Sequence, residues 1–140
     1  ILAIIGDGSV QMNIQEIENI KHLNLPIKIF IVNNNGYGMV KQTIDTWLNK
    51  NYVGCDKQSG LSMPDFQKVF SSYGIETCEI SNHNDLSEKI NFVMNSDKPI
   101  MCDVKVDPDA RIIPKLKPGH PLHDMLPSLP EDEIKEQLKF

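Results

Sequence analysis

Gly6-Asp7-Gly8-Ser9 and, further along, Asn33-Asn34-Asn35-Gly36-Tyr37-Gly38 supply the residue types that a phosphate-bearing ligand and a hard cation require. A divalent ion such as Mg²⁺ takes oxygen ligands in a small octahedral shell. Asp7 offers a carboxylate, Asn34 an amide oxygen, and the sharp turn allowed by Gly36 and Gly38 a main-chain carbonyl. Gly6 and Gly8 leave room for a diphosphate to approach the backbone, and N–H groups at the start of a helix favour its oxygens. Either cluster alone reads first as a plain turn, because Asn-Gly marks hairpins and Gly-Asp-Gly closes many strand-to-helix turns. The pair is more specific, since each cluster follows an apolar run, Ile1 to Ile5 and Ile27 to Val32, where a buried strand would end. Ligands of open α/β sheets bind outside those carboxyl ends.

Positioning both clusters at one sheet edge requires a returning helix between the strands. Val10, Ile14, Ile17, Ile20 and Leu23 recur at helical spacing, and Pro26 marks the approach to the second strand. A right-handed crossover through that helix makes the strands parallel. Met39 to Leu48 reads as a further helix, and Asn49 to Ser62, with Gly54 and Gly60, as an irregular loop that is a candidate site wall. Ser62, Pro64 and Asp65 then open a helix whose apolar side is Phe66, Val69, Phe70 and Tyr73 and which Gly74 ends. A strand at Ile75 to Ile80, a helix from about Asp85 to Met94 and a strand from about Pro99 to Val104 complete the alternation. The pattern predicts an α/β fold of three layers, α/β/α, around a mostly parallel sheet. The division expected is a domain over 1–106 and a tail over 107–140. Six of the nine prolines fall in that tail, which excludes long helices and central strands there, although Glu131 to Leu138 fits a short last helix.

Composition narrows the class. Hydrophobic residues make up 40% and charged residues 24%, with no apolar stretch near the roughly 20 residues of a membrane span. A net charge of −5, with no basic cluster interleaved with aromatics, speaks against nucleic acid as a partner. Cys55, Cys78 and Cys102 have no CxxC spacing, so neither a disulfide framework nor a structural zinc site is expected, and a reducing cytoplasm is the simpler setting. His22 and His83 read as solvated, His120 and His123 as surface residues of the tail, and Glu16 and Glu18 as helix-surface groups. The chain opens on Ile1 inside a strand pattern, so an upstream segment and an N-terminally incomplete domain are expected, with an apolar edge or face left exposed.

At this spacing the chain resembles the thiamine diphosphate enzymes, whose signature is Gly-Asp-Gly followed some two dozen residues later by Asn-Asn. The text Ser9 to Ile17, then Leu25 to Phe30, then Gly38-Met39-Val40 is similar to acetolactate synthase large subunits, and Pro118 to Pro127 more loosely so. The resemblance covers nearly the whole chain, but only as the carboxyl-terminal diphosphate-binding domain of a longer enzyme. It implies that Asp7, Asn34 and the Gly36 carbonyl hold Mg²⁺, that Gly8 and Ser9 meet the phosphates of thiamine diphosphate, and that Gly6, Tyr37 and Gly38 complete the cofactor loops. Met39 is then an apolar contact at the cofactor, with ordinary core packing an equal reading. The activity implied is that of a 2-keto acid carboligase or decarboxylase, with pyruvate conversion to 2-acetolactate in branched-chain amino acid biosynthesis as the leading case.

The resemblance also sets limits. The glutamate that activates the cofactor ring belongs to a separate pyrimidine-binding domain, and no residue here matches its motif. The chain alone is therefore expected to be inactive, with its active site completed between subunits of a homo-oligomer. Where the family continues Gly-Met-Val into Gln-Trp, Gln42 is followed by Thr43 and the one tryptophan is Trp47, so acceptor specificity is not carried over. The tail is either a closure over the site, as in relatives, or a surface strap. A non-catalytic cofactor-binding or assembly module is the alternative.

Overall fold

The computed structural model describes residues 1–116 and 118–139. Contacts divide the chain into Ile1–Ala110 and Arg111–Phe140. In the first unit the elements run β1 (Leu2–Gly6), α1 (Asp7–Val10), a 3-10 turn at Gln11–Asn13, α2 (Glu16–His22), β2 (Lys28–Asn33), α3 (Gly38–Trp47), α4 (Phe66–Ser72), β3 (Glu76–Ile80), α5 (Leu86–Met94) and β4 (Ile100–Lys105). The four strands form one sheet in the order β1-β2-β4-β3, and every pairing is parallel. Ala3 faces Ile29, and Ile29 faces Met101, so the carboxyl ends of β1, β2 and β4 are level.

Strand alternation sorts the core onto two faces. Ile29, Ile31 and Met101 point to one side, where Val10, Ile17, Phe66 and Phe70 of the helices meet them. Ile100 and Cys102 point to the other side and pack with Val93 and Ile80. Helices α1, α2 and α4 thus cover one face and α5 the other, giving the three layers expected. The Leu2 and Ile4 side of β1, on the face that α5 covers only over β3 and β4, is left open, and Ile4 is 69% exposed.

Three local expectations are corrected. The connection between β1 and β2 is not one helix: it breaks at Gln11–Asn13, where Asn13 favours turn over helix, and resumes at Glu16. As a result Val10 and Ile17 are buried, while Leu23 is 62% exposed rather than on the core face. The α4 cap is Asp65, whose carboxylate accepts the Lys68 N–H at 3.1 Å, rather than Ser62. Pro64 disfavours helical backbone in Met63 and so delays the start. Gly74 ends this helix as expected, at φ +75°, a conformation that glycine adopts without a side-chain penalty.

In the second unit, β5 (Lys115–Leu116) and β6 (Met125–Leu126) form a short antiparallel ladder, and α6 spans Glu131–Gln137. His120 and Asp124 pair at 2.6 Å within it.

Phe70 is fully buried beneath α4, against the sheet. Phe70→Ala should lower unfolding stability by about 3–5 kcal/mol through lost transfer energy and a residual cavity. Urea denaturation followed by circular dichroism measures this, and a loss below ~1 kcal/mol would contradict the packing described.

Candidate functional site

Asp7 stands at the turn from β1 into α1 and is only 4% exposed. Its Oδ1 accepts the Gly8 N–H at 2.7 Å and its Oδ2 the Gly36 N–H at 3.1 Å. One carboxylate therefore joins the two clusters, which parallel pairing of β1 with β2 brings side by side. Burial pushes the Asp7 carboxyl above its ordinary value; the N–H groups of Gly36, Gly8 and Asn35 oppose the rise, and the nearby Asp103 charge adds to it. Among the described residues no lysine, arginine or histidine pairs with Asp7. A buried anion held by N–H dipoles alone is a site that a cation improves.

The second cluster leaves β2 through a side-chain-mediated turn. Asn33 Oδ1 accepts the Asn35 N–H at 3.0 Å, and Asn35 adopts φ +57°, a region asparagine tolerates. Gly36 is buried, and a side chain there would stand 2.7 Å from the Cys55 carbonyl oxygen, so the close approach requires glycine. The same carbonyl accepts the Tyr37 N–H at 2.8 Å. A methyl group at Gly8 would overlap the Tyr37 ring, and one at Gly38 would overlap the Asn34 amide nitrogen. Gly8 lies against Tyr37, and Gly38 against Asn34, for that reason.

The loop expected as a wall supplies this buttress. Ser59 Oγ accepts the N–H groups of Cys55 and Asp56, each at 3.0 Å, and Asp56 Oδ1 accepts the Ser59 N–H at 2.9 Å. Lys41 on α3 reaches Asp56 at 3.4 Å and Asp109 at 3.0 Å, and lies 5.6 Å from the centre of the Tyr52 ring. The Tyr52 hydroxyl in turn donates to Asp45.

The structure thus joins Asp7, Gly8, Gly36 and Tyr37, and separately Asn34 and Gly38. Gly6 caps α1, and Ser9 is exposed on it. Met39 is 62% exposed in the first turn of α3, so its core-packing alternative fails in this chain. Asp103, Lys105 and the carbonyl of Cys55 are not among the site groups expected from sequence. A lone acid inside the apolar run Ile100 to Val104 was the available signal for Asp103; Cys55 acts through its main chain, which leaves none.

The model of the family described as "Thiamine pyrophosphate enzyme, C-terminal TPP binding domain" matches residues 1–104. The acetolactate synthase large subunit of Cyanidium caldarium is 35% identical over 126 residues, covering 90% of this chain and 21% of that protein. That of Haemophilus influenzae is 33% identical over 135 residues, covering 95% of this chain and 23% of that protein. A solved thiamine diphosphate-dependent 4-hydroxybenzoylformate decarboxylase from Rhodococcus jostii RHA1 superimposes with a TM-score of 0.66 at 24% identity, over 76% of this chain and 19% of that one, and supports the fold. The chain spans about a fifth of the length of the curated relatives it matches. With the strand-end clusters joined through Asp7 and a family match over most of its length, the chain belongs to the thiamine pyrophosphate enzymes, as their C-terminal cofactor-binding domain.

Proposed function

We infer that this chain anchors the diphosphate of thiamine diphosphate through Mg²⁺, in an enzyme acting on 2-keto acids and most like acetolactate synthase. The observation that carries the reading is the buried Asp7 carboxylate, fixed by Gly8 and Gly36 and without a cation among the described residues. Its donor set fits a hard ion: a carboxylate, the Asn34 amide oxygen and the Gly36 carbonyl are all oxygen ligands. Gly8 and Ser9 meet the phosphate oxygens, Gly6, Tyr37 and Gly38 shape the loops around them, and the exposed Met39 offers an apolar contact. When bound, thiamine diphosphate supplies an electron sink for decarboxylation and carbon–carbon bond formation. This chain's residues bind and orient; none of them is assigned proton transfer.

The 2-keto acid, the pyrimidine-binding domain and the homo-oligomer belong to the same reading, as do conversion of two pyruvates to 2-acetolactate and CO₂, a cytoplasmic setting and inactivity of this chain alone. The relatives named acetolactate synthase support the carboligase reading. No helix among the described residues is long and apolar enough to cross a membrane.

In the full-length protein, calorimetry should show Mg²⁺-dependent binding of thiamine diphosphate that Asp7→Ala or Asn34→Ala abolishes. Unchanged affinity in both variants would overturn the assignment. Pyruvate consumption with acetolactate release supports the named activity, whereas aldehyde release identifies a decarboxylase instead.

Acid should weaken the site in a direction fixed by Asp7. Its folded carboxyl is raised above the ordinary 3.8, so in the metal-free protein the stability it contributes is fully present below that value and is lost as pH rises through the raised one. Mg²⁺ competes for the deprotonated form. Mg²⁺ affinity should therefore fall by about tenfold per pH unit below the raised pKa, and the thermal shift produced by Mg²⁺ should shrink once the pH drops below it. A shift that stays constant as the pH falls through the whole titration of the Asp7 carboxyl would remove Asp7 from the ligand set.

A further inference from the structure

We propose that Asp103 is the positioning residue of the candidate metal loop, acting through Asn33 to fix how Asn34, Asn35 and Gly36 are presented. Its functional meaning rests on the metal-site reading; its structural part does not. Asp103 lies on β4, is 2% exposed, and points to the same sheet face as Met101, toward the carboxyl end of the sheet. Its Oδ1 accepts the Asn33 Nδ2–H at 2.9 Å, a buried hydrogen bond between residues far apart in sequence. Its Oδ2 accepts from Lys105 Nζ at 2.6 Å, and Lys105 also lies 3.9 Å from Glu79, which is held by Gln67 at 3.0 Å.

Chemistry gives this arrangement a direction. A carboxylate ion-paired to lysine is an acceptor only, so it admits the NH₂ end of the Asn33 amide and rejects the oxygen end. The amide oxygen is then committed to the Asn35 N–H, which closes the turn. One residue later the Gly36 N–H reaches Asp7, and two residues later the Tyr37 N–H reaches the Cys55 carbonyl. A reversed Asn33 amide would set its oxygen against Asp103 and its NH₂ against the Asn35 N–H, mismatching two hydrogen bonds at once. Asp103 thereby selects one of two orientations of a buried amide, and that orientation decides whether the turn closes.

The test uses the full-length protein without cofactor, followed by amide hydrogen exchange. Asp103→Leu removes the acceptor and should speed exchange at Asn35 and Gly36 by about tenfold, while Ile31 and Met101 in the sheet stay protected. Asp103→Asn turns its oxygen to Lys105 and its NH₂ to Asn33, so the selection is lost and exchange at Asn35 and Gly36 should again be faster than in the parent, with the sheet still protected. Asn33→Ala, which removes the amide that links Asp103 to the Asn35 N–H, should give the same local loss and serves if Asp103→Leu does not fold. Unchanged exchange at Asn35 and Gly36, or equally faster exchange throughout the sheet, overturns the proposal. With cofactor present, the Mg²⁺ concentration for half-saturation should rise by about tenfold in Asp103→Leu and should rise in Asp103→Asn as well. Failure of the parent protein to bind Mg²⁺ and thiamine diphosphate defeats the reading of the site, and amide exchange then decides the positioning role alone.

Discussion

A single buried carboxylate ties the ends of two parallel strands together. Asp7 takes one N–H from its own strand end and one from the loop after β2, so the spacing between the clusters is a consequence of one helix-containing crossover bringing them level. Each charge-assisted hydrogen bond contributes about 1.5–3 kcal/mol. Desolvating the carboxylate costs several kcal/mol, and burial together with the Asp103 charge pushes its pKa up against those hydrogen bonds. The buried Asp7 therefore carries an electrostatic cost, which under the proposed reading a cation relieves.

Asp103 shows what the same kind of group does when its needs are met within the chain. It is as deeply buried as Asp7, yet it has Lys105 on one oxygen and Asn33 on the other. Its charge is spent on structure, whereas that of Asp7 remains open to a ligand. The two carboxylates lie close enough for Asp103 to raise the cost of ionising Asp7, which deepens the attraction for a cation. Loop 55–59, closed on itself by Ser59, supports the other side of the turn through the Cys55 carbonyl.

Much of this was legible because local chemistry and global fold agree. The apolar runs before Gly6 and Asn33 mark parallel strands and Gly74 marks a left-handed helix end, whereas Gly36 and Gly38, expected to make the sharp turn, leave it to Asn35 at φ +57° and serve close approach to Cys55 and Asn34, as Gly8 does to Tyr37. The break at Gln11–Asn13 was not legible, since Val10, Ile14 and Ile17 keep helical periodicity across it. Nor was the choice of Asp65 over Ser62 as cap, which turns on Pro64 restricting the residue before it. Asp103 was hidden for a different reason: a polar residue in a strand announces burial only once its neighbours across the sheet are known, and its partner Asn33 lies 70 positions away in sequence.

The geometry also separates anchoring from proton chemistry. A general base needs a free lone pair directed at the proton it removes. Both Asp7 oxygens already accept backbone N–H groups, and any cation takes the remaining capacity, so Asp7 is committed to electrostatics. Asn34 and the Gly36 carbonyl do not titrate near neutral pH. Lys41 is paired with Asp56 and Asp109, and Lys105 with Asp103. Under the proposed reading these residues therefore fix where the cofactor's diphosphate lies, and the position of its reactive ring follows from that anchor. Holding one end rigidly while leaving the other to groups supplied elsewhere is how a domain without its own acid or base contributes to rate: it removes translational and rotational freedom before the chemistry begins.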